Sequence, residues 1–493
     1  MDKKSGGKPR RGRTGRTLPP VALPLCSRYS LLRGSHSIEE LALAARRGGY
    51  AAFAVCDRNA LYGAVVAQRA GDAAGVRALI GAEIDGGIAR EDDPKVALPA
   101  PPTLIALAED RRGWGNLCRI VSRRKLAEPD GPRDRPGDRP APGFDLIASA
   151  VECASGLQFL TASPALAATL AERLGTRRAR SQLGLLLGRP LIDPARERRV
   201  RDAAEALGLD LVAGAMTGWI KTPLPFRGHM LEAMRTLSTA RRVADAPEDP
   251  PLAALSTTAE WRDLHRDLPE TIDAASVRAE KCHYRFEPGH PIFPRFPLPP
   301  GVTAFGELYE RCHQGLKRRY QNVSGAALAR LSRELSVIES MGFVEYFLVV
   351  GTIVARAHEL GIECAGRGSG AASIVSYALG ITQVDPIRHR LTFERFLHPG
   401  RKDLPDIDID LCWIGRDRVI EWVYERYGHD RVAMISTHST LQPRSAFREV
   451  ARTFGVPPDE IDRISRRIPH RDEASLPELL RRDAAFGGLG LAR

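Results

Sequence analysis

Residues 403 to 410, DLPDIDID, constrain the chain more tightly than any other stretch. Asp406, Asp408 and Asp410 alternate with Ile407 and Ile409. A strand has a side-chain period of two, so the three carboxylates share one face and the isoleucines enter a core on the other. Like charges at this spacing repel unless a cation lies among them. Two readings follow. One is an acidic sheet edge kept soluble by its charge. The other is a Mg²⁺ site, since Mg²⁺ takes carboxylate oxygens and leaves its remaining positions to substrate phosphates.

With 493 residues the chain exceeds a single core and predicts roughly two to four domains. Its net charge of +12 favours a polyanionic partner. The eight cysteines form no CxxC or other close pair, which indicates reduced cytosolic thiols rather than a disulfide or zinc framework. No apolar run of about 18 residues is present, so no membrane span is expected. MDKKSGGKPRRGRTGR lacks the apolar segment of a secretory signal, and residues 1–20 read as a disordered basic tail. A cytoplasmic location is therefore expected.

Ser37 followed by Glu40 is a capping box, and Leu41, Ala44 and Ala45 then recur at helical spacing. Short apolar runs over 50–55 and 76–84 predict strands, and the alternation predicts an α/β domain with a mainly parallel sheet. AEPDGPRDRPGDRPAPG, over 127–143, reads as a solvated insertion, and PRFPLPP, over 294–300, as a connection between domains. Helices are expected over 303–320 and 326–341. Another follows the acidic strand, where Val419, Trp422, Val423 and Tyr427 share a face.

Between a strand and a helix candidate lies GRGSGAAS, residues 366–373. Its glycines allow backbone N–H groups to approach an anion, the following helix N-terminus adds a dipole, and Arg367 and Ser369 add donors. The spacing is neither that of a P-loop nor that of a dinucleotide fingerprint. Alone, it is equally a glycine-rich turn packed on a helix.

SRYSLLRGSHSIEELALAARRGGYAAFAVCDRNALYGAV and WGNLCRIVSRRK resemble the opening of the PHP (polymerase and histidinol phosphatase) domain of bacterial DNA polymerase III α subunits. The resemblance implies metal ligands at a His-x-His, an Asp-His and an Asp-x-His position. Here those positions hold Pro24 and Cys26, then Asp57 and Arg58, then Met216 and Gly218. Asp57 and Glu83 remain, but two isolated carboxylates do not replace the imidazoles. Arg58 is expected to repel a cation and to pair with Asp57 or Glu83. A structural PHP domain without zinc or any other metal follows.

GRGSGAASIVSYALGITQVDP, FERFLHPGRKDLPDIDID and QPRSAFREV, in this order, closely resemble the palm of C-family bacterial DNA polymerases. SLLRGSHSIEEL and QPRSA are more similar to the error-prone, translesion branch than to the main replicative subunit. The fold implied is α/β and multidomain. It comprises a PHP-type α/β barrel over 21–285, a partial polymerase β-like nucleotidyltransferase palm over 286–435, and the start of a helical thumb over 436–493.

The resemblance implies that Asp406 and Asp408 hold two Mg²⁺ ions, with Asp410 facing the same way in a supporting role. Arg367, Gly368 and Ser369 would bind the triphosphate. Arg395, Arg401, Lys402 and Arg444 are candidates for phosphate or DNA contact. Primer–template DNA and dNTPs are the implied partners, with a sliding clamp and mutagenesis accessory proteins for a full-length form. The family uses a third catalytic aspartate beyond the thumb, which this chain does not reach. Two classes stay open: an error-prone DNA polymerase that is incomplete alone, or a non-catalytic remnant binding DNA, nucleotide or polymerase partners. The isolated chain is expected not to extend a primer. Incorporation that disappears in Asp406→Ala or Asp408→Ala would refute this.

Overall fold

Strands that are apolar at nearly every position, such as TLIALA and LGLLL, need cover on both faces, and the first unit is built to give it. The computed structural model describes residues 18–86, 102–127, 143–189, 192–214, 217–220, 227–245, 253–287, 293–398, 400 and 405–468. The chain divides into two compact units, Met1–Glu287 with Thr440–Arg493, and Pro288–Ser439. Most of the basic tail and of the insertion lie outside the described residues, as do Met216, Arg401 and Lys402.

In the first unit β1 (Val21–Leu25), β2 (Ala52–Arg58), β3 (Arg77–Asp85), β4 (Thr103–Ala108), β5 (Leu157–Thr161), β6 (Leu183–Leu187), β7 (Asp210–Ala213), β8 (Thr217–Ile220) and β9 (Ala253–Leu255) form one sheet. Its order is β7-β6-β5-β4-β3-β2-β1-β8-β9. Neighbours are parallel except at β4, which runs antiparallel to both β3 and β5. Laid flat, β1 and β7 would be about 29 Å apart, six spacings of about 4.8 Å. The helix Glu270–Lys281 nevertheless touches both, so the sheet is curled around it in the manner of a PHP-type half-barrel.

Inward residues of seven strands, from Val21 and Leu23 through Ala54, Leu79, Leu107 and Leu160 to Leu186 and Val212, share one core with Ala275 and Ala279 of that helix. Arg278, 2% exposed, is the polar pin of this core. Its guanidinium donates to Gln158 Oε1 at 2.7 Å, to the Leu183 carbonyl at 2.9 Å and to Asp210 at 3.0 Å. The outer face is covered by amphipathic helices, beginning with Ile38–Arg47, whose Ser37 and Glu40 close the capping box read from the sequence.

The second unit is mainly helical. Ala304–Arg319, Gly325–Ser340 and Val344–Glu359 enclose a core of Leu316, Leu331, Phe347, Phe393 and Phe396. Phe293 and Phe296 pack against it, so PRFPLPP is seated on this unit rather than free of it. β10 (Cys364–Arg367) and β11 (Asp408–Leu411) make a separate two-stranded ribbon, and the helix Arg416–Tyr427 follows. Trp413, Ile414, Met434 and Ile435 are exposed apolar residues of this unit. Among the described residues no single helix is long and apolar enough to cross a membrane.

Pro443–Thr453 and Pro458–Ser465 pack on each other through Phe447, Ala451, Ile461 and Ile464. The first of these helices also lies against Arg227–Arg235 in the first unit.

Candidate metal and phosphate site

The alternation at the acidic strand is realised in three dimensions. Asp406, Asp408 and Asp410 are exposed, while Ile407 and Ile409 pack on the core of the second unit. Antiparallel pairing sets Arg367 opposite Asp408, Gly366 opposite Ile409 and Ala365 opposite Asp410. A Cβ on Gly366 would sit 2.5 Å from the Ile381 carbonyl oxygen, so only glycine permits this approach.

Arg367 crosses the ribbon. Its Nε donates to Asp410 Oδ1 at 2.9 Å, and Nη1 lies 3.7 Å from Asp408 Oδ2. The Tyr346 hydroxyl accepts the Ile407 N–H at 3.0 Å, pinning the backbone between Asp406 and Asp408. Burial, reinforced by the charges of Asp406 and Asp408, raises the Tyr346 pKa and keeps the phenol protonated. Among the described residues, no three His, Cys, Asp or Glu side chains converge as a closed metal cage.

The glycine–serine loop follows β10 directly. Gly368 has φ +72°, a left-handed conformation, and a Cβ there would meet Asp408 Oδ2 at 3.3 Å. Ser369–Ala372 forms one tight turn, then Ser373 caps the helix Ile374–Ala378. Ser373 Oγ accepts from the Val375 and Ser376 N–H groups and donates to Glu334 Oε2 at 2.8 Å. The Ile374 N–H donates to the same oxygen at 2.8 Å.

Glu334 is fully buried and is held in turn by Arg330 Nε at 2.8 Å, while Arg330 Nη2 donates to the Ala372 carbonyl at 2.7 Å. Burial raises the Glu334 pKa, and the donors from Arg330, Ser373 and Ile374 oppose that rise. This corrects the expectation that the helix N-terminus faces a bound anion. The helix is five residues long and its first N–H groups are already satisfied by Glu334 and Ser373. Donors for an anion are left to Arg367, Gly368 and Ser369.

A cleft of about 780 Å³ opens at the far end of the ribbon, lined by His358, Cys364, Gln383, Asp410 and Cys412 among others. Of the candidate cations, Arg395 is exposed in the second unit, and Arg444 lies half-buried in the first.

In the first unit the strand ends gather a second set of carboxylates, all buried. Asp57 accepts from the Ser27 N–H, the Ser27 hydroxyl and the Ser30 hydroxyl, each at 2.7 Å. Burial raises its pKa, and these donors oppose the rise. Arg33, which sequence reasoning passed over, reaches Glu83 at 3.0 Å. Arg58 donates to Asp85 at 2.9 Å, which corrects the expected pairing with Asp57 or Glu83. Arg124 reaches Asp85 at 2.6 Å, and Asn59 Nδ2 donates to it at 3.0 Å. The Cys26 thiol is fully buried, and burial with the nearby Asp57 charge pushes its pKa up to about 12.

Sequence reasoning missed Glu334, Tyr346, Arg33, Asp85 and Arg124. Arg330 and Glu334 were detectable as an i,i+4 pair on an otherwise apolar helix face. Arg33 and Arg124 had no such signal, because the partners lie 50 and 39 residues away.

The PHP-type α/β unit is thus followed along the chain by a unit that sets a glycine–serine loop beside a carboxylate strand. Residues 24–170 match the PHP domain model, and residues 306–489 match the bacterial DNA polymerase III alpha NTPase domain model. The chain belongs to the bacterial family of DNA polymerase III α subunits and error-prone DNA polymerases.

It is 32% identical over 480 residues to DNA polymerase III subunit alpha of Bacillus subtilis, covering 93% of this chain and 40% of the relative. It is 33% identical over 485 residues to the error-prone DNA polymerase of Mycobacterium bovis, covering 94% and 43%. The corresponding protein of Burkholderia mallei is 32% identical over 488 residues, covering 95% and 44%. The chain thus spans between 40% and 44% of these relatives. Among solved structures, a putative metal-dependent phosphoesterase from Bifidobacterium adolescentis covers 40% of this chain and 87% of its own at 14% identity, with a TM-score of 0.27.

Burial acting alone would raise the Asp85 pKa, but hydrogen bonds and charge from Arg58, with Arg124 and Asn59, outweigh it and lower the value from 3.8 to about 2. A depressed carboxylate pKa stabilises the fold above pH 3.8, and that increment is lost as pH falls towards 2. It amounts to about 2 kcal/mol. Urea unfolding of Asp85→Asn should therefore show a deficit against wild type near neutral pH that shrinks by about 2 kcal/mol between pH 4 and pH 2. A deficit independent of pH would contradict the assignment.

Proposed function

We propose that the chain supplies the nucleotide- and metal-binding part of an error-prone DNA polymerase. Asp406 and Asp408 act as magnesium ligands, and Arg367, Gly368 and Ser369 as triphosphate donors. One observation carries this reading: the exposed carboxylate row and the glycine–serine loop adjoin across a single ribbon, within the segment that matches the polymerase III alpha model.

The donor set fits Mg²⁺. Its oxygens are hard, exposed and side by side, and a cationic side chain is already drawn to them. Mg²⁺ needs only one or two carboxylates where phosphates complete its coordination, so a closed protein cage is not required. Bound between Asp406, Asp408 and a triphosphate, it would neutralise phosphate charge and favour attack by a primer hydroxyl. The chain's own residues do the positioning. Tyr346 fixes the strand between the two aspartates, and Glu334 with Ser373 anchors the far end of the loop. Gly368 and Ser369 are thereby held to present N–H and hydroxyl donors to phosphate oxygens.

Primer–template DNA and dNTPs are the partners of this reading. Arg395, Arg401, Lys402 and Arg444 are its candidate DNA-phosphate contacts, which would weaken with salt. The domains we assign are a PHP domain over 21–285, a palm over 286–435 and the start of a thumb from 436.

The PHP domain is structural and binds no metal in this reading. Serine donors occupy Asp57, a guanidinium occupies Glu83, and Cys26 stays a protonated thiol rather than a thiolate ligand. The full chain purified in the presence of Zn²⁺ or Mn²⁺ should retain no stoichiometric metal that Asp57→Asn removes. One tightly held equivalent lost in that variant would overturn this assignment.

Binding of a fluorescent dNTP by the full chain should require Mg²⁺. It should weaken by roughly ten-fold or more in Asp406→Asn and Asp408→Asn, the scale of a lost charge-assisted contact. Binding that is indifferent to Mg²⁺ and to both substitutions would overturn the site.

A further inference from the structure

We propose that Arg367 is an internal counter-ion that exchanges partners as the site loads, so that a nucleoside triphosphate and its divalent cation bind as one coupled event. The inference rests on the reading of the site given above.

Pairing across the ribbon places Arg367 opposite Asp408 and diagonal to Asp410. Its guanidinium spans both carboxylates, with Nε 2.9 Å from Asp410 Oδ1 and Nη1 3.7 Å from Asp408 Oδ2. Among the described residues it is the cation paired with Asp408 and Asp410. A divalent ion held by Asp408 competes with Arg367 for the same carboxylate. A triphosphate seated on Gly368 and Ser369 competes with Asp408 and Asp410 for the same guanidinium. Each ligand therefore removes the other's competitor.

Linkage makes this reciprocal. If nucleotide raises the affinity for the metal by some factor, the metal raises the affinity for nucleotide by that factor.

Exposure makes the exchange cheap. The Arg367 side chain is 64% exposed, and those of Asp408 and Asp410 are 46% and 65% exposed. Pairs this wet are weak and break readily, so the coupling is a few-fold rather than many orders of magnitude. Register adds direction to the exchange. Gly368, the residue after Arg367, starts the phosphate loop and lies against Asp408 Oδ2. The guanidinium can therefore move from carboxylate to phosphate by side-chain rotation, without breaking the ribbon.

The test is Mn²⁺ binding by the full chain, read from the electron paramagnetic resonance signal of free Mn²⁺, first without nucleotide. Arg367→Gln should bind Mn²⁺ about two- to five-fold more tightly than wild type, the range open to an exposed ion pair. Arg367→Lys keeps the charge but loses the planar fork, and should also tighten binding. Arg333→Gln removes an exposed charge of the same unit and should leave binding unchanged. An α,β-methylene dNTP should raise wild-type Mn²⁺ affinity beyond chelation in solution, and this enhancement should be lost in Arg367→Gln.

If Asp408→Asn weakens Mn²⁺ binding while both Arg367 variants match wild type, the exchange is refuted and the metal site stands. If Asp406→Asn and Asp408→Asn also match wild type, the metal site itself fails, and the exchange with it.

Discussion

The pairing of β10 with β11 is the constraint on which the candidate site depends. Four residue pairs place one arginine beside a row of carboxylates and join that row to the glycine–serine loop. A slip of one residue would turn Asp408 and Asp410 into the core and Ile409 into water. Two contacts oppose such a slip: Ile407 and Ile409 seated on the core, and Gly366 closed against the Ile381 carbonyl. Behind the loop, buried Glu334 ties Arg330, Ser373 and Ile374 together. Removing one member of so buried a pair typically costs about 3–5 kcal/mol, so the loop end is firmly fixed.

The two units treat clustered carboxylates in opposite ways. Arg124 and Asp85 meet with side chains only 6% and 8% exposed, and Arg58 and Arg33 complete the neutralisation of that end of the sheet. Charges taken this far from water are locked in place, because neither partner can leave without stranding the other. Arg367 and Asp408 are in solvent, where the same kind of contact is weak. One cluster is therefore closed by buried partners, and the other stays open to solvent.

Much of this was legible in advance, and for local reasons. Alternation at 406–410, the capping box at Ser37 and Glu40, and the apolar runs that became β2 and β3 are all set by neighbours within a few residues. The family motifs located the loop and the acidic strand. What was misread involved competition between distant partners. Arg58 had several carboxylates within reach: the pairing of β2 with β3 sets it opposite Glu83, but Arg33 holds Glu83 and Arg58 reaches along the strand to Asp85. The helix after the loop carried the composition of an anion site, but Glu334, from a helix some 40 residues earlier, had already taken its N-terminus.

Sequence alone determined which face each aspartate takes, where the glycines must lie, and which family supplies the motifs, since backbone periodicity and glycine's missing Cβ act locally. Only the tertiary structure decided which cation meets which carboxylate. Ion-pair partners are chosen by distance and burial, and both are fixed once the sheet curls around Glu270–Lys281 and the ribbon closes. The same row of aspartates is thus written in the chain as a periodic pattern. Folding alone sets an arginine across from it.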